Sequence, residues 1–239
     1  NLTDKDEIVN KDAVSMLVSL GIIEGKPDGS YAPTENVDRA QMAKMLSVIM
    51  NKGVDNSALY QSVNSGLVDV NTNWAKGHIN YCYTTGIIAG RGNGKFDPSA
   101  TVTALEAAKM LLVAVGYDPA IEGFEGADWA INVSVRADEQ GIFEGFTKDL
   151  SAPLNRDDAA LLIYNALDVE MIQSYTTNNY PIVYSDHRTI LSDKYGVIKV
   201  EGVVTANEWA ILDDDTDTAL QEGKTRIYNP DGILSTTGN

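Results

Sequence analysis
Gly21-Ile22-Ile23-Glu24-Gly25 decides how this chain is read, because it returns as Gly86-Ile87-Ile88-Ala89-Gly90 and as Gly141-Ile142-Phe143-Glu144-Gly145. The copies stand 65 and then 55 residues apart. Self-similarity at such a period marks stacked units that share one core. Upstream, a Trp stands twelve residues before the first Gly in the second and third copies (Trp74, Trp129), where the first copy has Val9. Downstream come Pro27-Asp28-Gly29-Ser30-Tyr31 and Gly92-Asn93-Gly94-Lys95-Phe96, turn residues closing on an aromatic. Each copy then opens an apolar run with Val37-Asp38-Arg39, Val102-Thr103-Ala104 or Leu154-Asn155-Arg156.

One unit follows from these residues. A first helix, such as 74–85, ends at the leading glycine. The apolar pair behind it anchors a connecting loop. A second helix starts on Asp38, Thr103 or Asn155, all residues whose side chains cap free N–H groups. Gln41 and Glu106 stand three residues after the first two caps, the spacing of a capping box. Ala40, Ala43, Leu46 and Met50 fall on one helical face. A lone helix-loop-helix cannot bury both faces, so three copies are expected to pack together.

In order, the Gly-Ile-Ile-x-Gly, Asp-Gly-Ser-Tyr and Val-Asp-Arg-Ala-Gln strings resemble the S-layer homology (SLH) family over about residues 1–172. The resemblance implies an α+β chain: a mainly helical, three-pronged, pseudo-threefold SLH triplet, then a small β-rich segment. The expected divisions are 1–55, 56–117 and 118–172 for the repeats and 173–239 for the β-rich part. The resemblance also implies a secreted protein of the cell surface, anchored non-covalently by secondary cell-wall polysaccharide attached to peptidoglycan, often through a pyruvylated sugar. The alternative is a structural module whose partner is another copy of itself in a lattice. That alternative works by self-association or by calcium-driven lattice formation; no cofactor, no metal-ligating side chain and no catalysis are expected of the chain.

The copies depart from one another. Arg39 and Arg156 occupy the family's Arg position, and Ala104 stands there in copy two. From Gly21 to Arg39 is 18 residues, but from Gly141 to Arg156 only 15, since copy three lacks the aromatic turn. Unequal grooves are expected, one of them degraded. The candidate glycan-binding residues are Arg39, Arg156, Trp74, Trp129, Gly25, Gly90 and Gly145. An Arg fork suits a carboxylate, whereas a salt bridge to a neighbouring prong is the structural alternative. The Trp residues either stack on sugar rings or wedge the core, with core packing favoured. The glycines either let a glycan approach or take φ > 0 in turns.

Charge narrows the partners. The net charge is -16 and the pI about 4.4, so no sequence-wide basic field exists to hold nucleic acid. No apolar stretch is long enough to span a membrane. Cys82 reads as a core residue, and His78 and His187 as surface or packing residues. No nucleophile elbow, zinc-protease motif or phosphate loop occurs. Asp213–Asp217 resembles half a calcium loop but has Lys224 at the last ligand position.

From about residue 175 the pattern turns to short β-branched and aromatic runs at 180–184, 197–200, 202–205, 209–212 and 224–228, read as a small β structure. The chain begins Asn1-Leu2-Thr3 without Met, as removal of a signal peptide or a cut elsewhere would leave it. Its end is expected to continue into a longer protein.

Overall fold
The computed structural model describes residues 2–199, 202–209, 220–228 and 234–238. Among these, seven α-helices and two small antiparallel sheets make an α+β protein. The first helices of the copies are α1 (Lys11–Ser19), α3 (Lys76–Thr84) and α5 (Trp129–Glu139), and the second helices are α2 (Arg39–Met50), α4 (Ala104–Val115) and α6 (Arg156–Leu167).

Each first helix stops in the same way. Gly21, Gly86 and Gly141 have φ of 71°, 79° and 70°, a left-handed turn that costs an L-residue and suits glycine. The following residue's N–H then reaches back five positions, Ile22 to Leu17, Ile87 to Cys82 and Ile142 to Ala137. Those bonds satisfy carbonyls the helix end would leave open, and they bury the isoleucines. The second helices begin as expected. Asp38 with Gln41 and Thr103 with Glu106 form complete capping boxes, and Asn155 accepts from the Asp158 N–H. On α2, Ala40, Ala43 and Leu46 are buried, while Met50 is half-buried.

Helix pairing crosses the copies. α2 packs on α3, α4 on α5, and α6 on α1, so each second helix takes the first helix of the next copy, and the last takes the first. The Asp157 carboxylate makes the last joint, accepting from the Asn10 backbone N–H and from its side-chain amide at 2.8 Å. At the centre lies a closed triangle of backbone hydrogen bonds. Val37 donates to Leu154 (2.9 Å), Leu154 to Val102 (2.8 Å) and Val102 to Val37 (2.9 Å), with all three side chains buried. The N–H groups at the starts of the second helices, which have no intrahelical partner, donate to the neighbouring copy. Arg39 and Ala40 reach Ala100 and Pro98, Arg156 and Asp157 reach Glu35 and Pro33, and Leu105 reaches Leu150.

The later segment differs from its sequence reading. β1 (Ile172–Tyr175) pairs antiparallel with β2 (Pro181–Val183), and a further helix follows, α7 (Ile190–Tyr195). Ile172, Ile190 and Leu191 are buried in the helical core, and the Tyr195 hydroxyl bonds the Ile49 carbonyl at 3.3 Å. The compact units are accordingly 1–197 and 198–239. The hairpin and α7 thus pack with the helices, although the sequence placed everything from 173 in the β-rich part. α7 was missed because Thr189 and Ser192, which form its capping box, are ordinary residues of β turns as well. In the second unit β3 (Val203–Asn207), β4 (Lys224–Tyr228) and β5 (Leu234–Gly238) form an antiparallel sheet in that order. Residues 197–199 are not strand. Val200, the run 210–212 and the acidic stretch Asp213–Asp217 lie outside the described residues.

Candidate functional site
Two grooves in the first unit are built from corresponding residues. One, of about 250 Å³, is lined by Arg156 of α6, Glu24, Gly25 and Lys26 of the first loop, Gln41, Lys44 and Met45 of α2, and Trp74. The other, of about 420 Å³, is lined by Arg39 of α2, Ala89, Gly90 and Arg91, Glu106, Lys109 and Met110 of α4, and Trp129. The loop and helix residues of the second follow those of the first by 65 positions, the repeat spacing, and Trp129 follows Trp74 by 55. Three successive copies contribute to each groove, because the helices pair across copies.

The Arg residues link the copies. Arg39 is 4% exposed. Its Nε donates to the Phe96 carbonyl and its Nη2 to the Ala89 carbonyl, both at 2.8 Å, and the guanidinium lies 4.4 Å from the Phe96 ring centroid. Arg156 repeats the pattern on copy one. Nε donates to Tyr31 O (2.8 Å) and Nη2 to Glu24 O (3.1 Å), and the guanidinium sits 4.8 Å from the Tyr31 ring. Among the described residues neither makes the salt bridge to a neighbouring copy that was the structural alternative. The carbonyls and the ring face absorb the positive charge away from the helix start. Burial, with Arg91 nearby, lowers the Arg39 pKa to about 10, so it remains a cation at neutral pH. A guanidinium has five N–H donors, and these bonds use two of them.

The loops that receive the Arg residues are held from below. Asp4 accepts from the Tyr31 and Ala32 N–H groups at 2.7 Å, and Asp69 from Phe96 and Asp97 at 2.9 and 2.8 Å. The Tyr31 N–H, ahead of other effects, holds the Asp4 carboxyl below its usual range. At Asp69 desolvation opposes the same effect and the two N–H bonds outweigh it.

The other candidate residues divide. Trp74 is 58% exposed and lines its groove, against the expectation of core packing. Trp129 is half-buried, packs against the core and has the Lys109 ammonium 5.7 Å from its ring. Gly25 and Gly90 line the grooves, but neither has a positive φ. A Cβ at Gly25 would lie 2.8 Å from Leu2 and 3.3 Å from the Ser30 carbonyl, and one at Gly90 2.8 Å from the Lys95 carbonyl. Close packing against the turn's backbone therefore demands glycine at 90, whereas at 25 the Leu2 side chain would have to move aside. Gly145 does take φ 75°, and it lines neither groove. The structure thus brings together Arg156, Gly25 and Trp74, and separately Arg39, Gly90 and Trp129.

Lys44 and Lys109 went unnoticed in the sequence, although both stand five residues after the Arg position of their own copy. Burial lowers the Lys109 pKa, an effect to which Arg39 adds and which Glu125 opposes. At the corresponding place of the third joint stand Ala104, Leu161 in place of the lysine and Val9 in place of the tryptophan.

His78 and Cys82 pack inside. The His78 ring meets the Ser47 hydroxyl at 2.6 Å through Nδ1 and Asp55 at 3.6 Å through Nε2. Burial raises the Cys82 thiol pKa far above its usual value. His187 is exposed beside Glu170.

Residues 1–43 and 68–108 match the model of the S-layer homology domain. The chain is similar to a "Cell surface protein" of Thermoanaerobacter kivui, at 29% identity over 97% of this chain and 28% of that protein. It is similar to an "S-layer protein" of Bacillus licheniformis, at 32% identity over 47% of this chain and 12% of that protein. An "Amylopullulanase" of Thermoanaerobacterium thermosulfurigenes is 31% identical over 66% of this chain and 9% of that protein. The chain spans less than a third of the length of each.

Proposed function
The chain carries S-layer homology domains and is a protein of the cell surface, and on that premise we propose that it anchors a bacterial surface protein to the wall by holding secondary cell-wall polysaccharide in its two grooves. The ligand unit is a carboxylate-bearing sugar, such as a pyruvylated one, and the three copies act as a three-pronged, pseudo-threefold unit. The observation that carries this reading is the coincidence of Arg, Lys and Trp in both grooves and their joint absence at the third joint. Each groove offers cations for a carboxylate and an indole for a sugar face. The chain is -16 overall, so affinity for a polyanion comes from short-range contacts rather than long-range attraction. No catalysis is assigned to this chain.

Calorimetry of a soluble pyruvylated wall fragment tests the proposal. The best variant is the pair Lys44→Gln and Lys109→Gln, because neither lysine bonds a buried backbone group. Removing a cation that pairs with a desolvated carboxylate costs roughly 2–5 kcal/mol, a loss of about 30-fold or more. Arg188→Ala is the control. If the paired variant binds as tightly as the control, the groove reading is wrong.

A second reading has one observation in its favour. Arg39 and Arg156 already bond carbonyls of the next copy, as parts of a purely structural, self-assembling module would. On that reading the lysine pair changes nothing and the wild type does not bind the fragment.

A further inference from the structure
The two grooves share Gly, Lys and Met at corresponding positions but differ at Glu24 against Ala89, Lys26 against Arg91 and Gln41 against Glu106, and the most consequential difference lies at the third residue of the second helix. Gln41 and Glu106 both complete capping boxes, with Gln41 Oε1 accepting from Asp38 N–H at 2.9 Å and Glu106 Oε2 from Thr103 N–H at 3.1 Å. What each then offers the groove differs. A glutamine with its oxygen in the cap retains two amide N–H donors. Glu106 instead keeps a second carboxylate oxygen, which draws Arg91 to 2.8 Å. Glu125 adds another negative charge to the lining of that groove. Three cations line each groove. Against them stands one carboxylate, Glu24, in the Gln41 groove, and two, Glu106 and Glu125, in the other. In the Glu106 groove a bound carboxylate meets a like charge and competes with Glu106 for Arg91. In the Gln41 groove it competes with Glu35 for Lys26 and with the exposed Glu24 for Lys44, but at the cap position it meets an amide donor in place of a carboxylate oxygen.

We propose that Gln41 and Glu106 are the specificity-determining pair. The Gln41 groove is the high-affinity site for the carboxylate-bearing sugar, and the Glu106 groove binds the same group at least about tenfold more weakly. The assignment rests on the groove reading above and makes the two grooves unequal for a stated chemical reason, independent of their shared Arg and Trp.

The indole N–H resonances of Trp74 and Trp129 report the grooves separately in the full chain, each assigned from a Trp→Phe variant. The probe is a methyl hexoside carrying a 4,6-pyruvyl ketal. The Trp74 signal should saturate at about tenfold lower probe concentration than Trp129. Gln41→Glu should weaken the Trp74 response toward that of Trp129, and Glu106→Gln should strengthen the Trp129 response. Both substitutions keep a residue suited to the capping box, so the helices remain capped. Equal midpoints in the wild type, unmoved by either substitution, overturn the specificity assignment alone and leave the groove reading standing. If neither indole shifts, the groove reading fails and the assignment falls with it.

Discussion
The joint between copies one and two and the joint between copies two and three are built on the same plan, yet only the first carries the Arg, Lys and Trp set. At the first, Arg39 of copy one reaches into copy two, bonds Ala89 and Phe96 and lies over the Phe96 ring. At the second, Ala104 stands in place of Arg, and copy three has lost the turn that would present carbonyl and ring. In sequence these look like two separate defects, one in each copy. Because each Arg acts on the following copy, they are a single loss at a single joint. The joint between copies three and one, with Arg156 and Tyr31, retains both halves.

The largest expected effect that sharpens this contrast is on stability. Arg39→Ala removes a buried cation and leaves two carbonyls without their donor, at a cost of about 3 kcal/mol, read as a shift in a urea unfolding curve. Arg156→Ala, at a half-buried position, should cost about half as much. If both variants unfold like the wild type, the Arg residues do not pin the joints.

Next comes binding. Trp74→Ala exposes no core and should leave stability within about 0.5 kcal/mol, while weakening binding of the pyruvylated fragment by about 1–3 kcal/mol. That range is the value of stacking on an aromatic, borrowed from base–aromatic pairs. Val9→Ala, at the corresponding place of the third joint and 83% exposed, should change neither. An equal effect at both positions would erase the distinction between the joints.

The smallest effect is a pH dependence confined to the α2–α3 pair. His78 and Ser47 meet there, where α4–α5 has Val133 and Leu112 at the corresponding positions. Burial lowers the His78 pKa below 6.5, with Asp55 opposing and Lys44 assisting. Above pH 6.5 both folded and unfolded states are neutral at this site. As pH falls below 6.5 the unfolded state takes up the proton first, so stability declines. His78→Gln should flatten the pH dependence of urea stability between pH 7.5 and 5. An unchanged slope would contradict the shift.

Much of the fold was legible because local chemistry states it. The glycines at 21, 86 and 141, the caps at 38, 103 and 155 and the apolar pairs each have one structural use. What stayed hidden depends on contacts between copies. The pairing of α2 with α3, rather than with α1, follows from no local pattern, and so Lys44 and Trp74 could not be seen to share a groove. For Trp74 the sequence leaves sugar stacking and core packing both open and favours the core, yet its neighbours leave it in solvent. The β1–β2 hairpin and α7 carry short, mixed signals, and burial of Ile172, Ile190 and Leu191 in the helical core decides their place.

The central claim is that this chain holds an anionic wall glycan, and co-sedimentation with purified cell walls, before and after acid extraction of the wall polysaccharide, tests it most directly. The chain should pellet with intact walls and stay in solution with extracted ones. Equal pelleting with both, or with neither, would contradict the account.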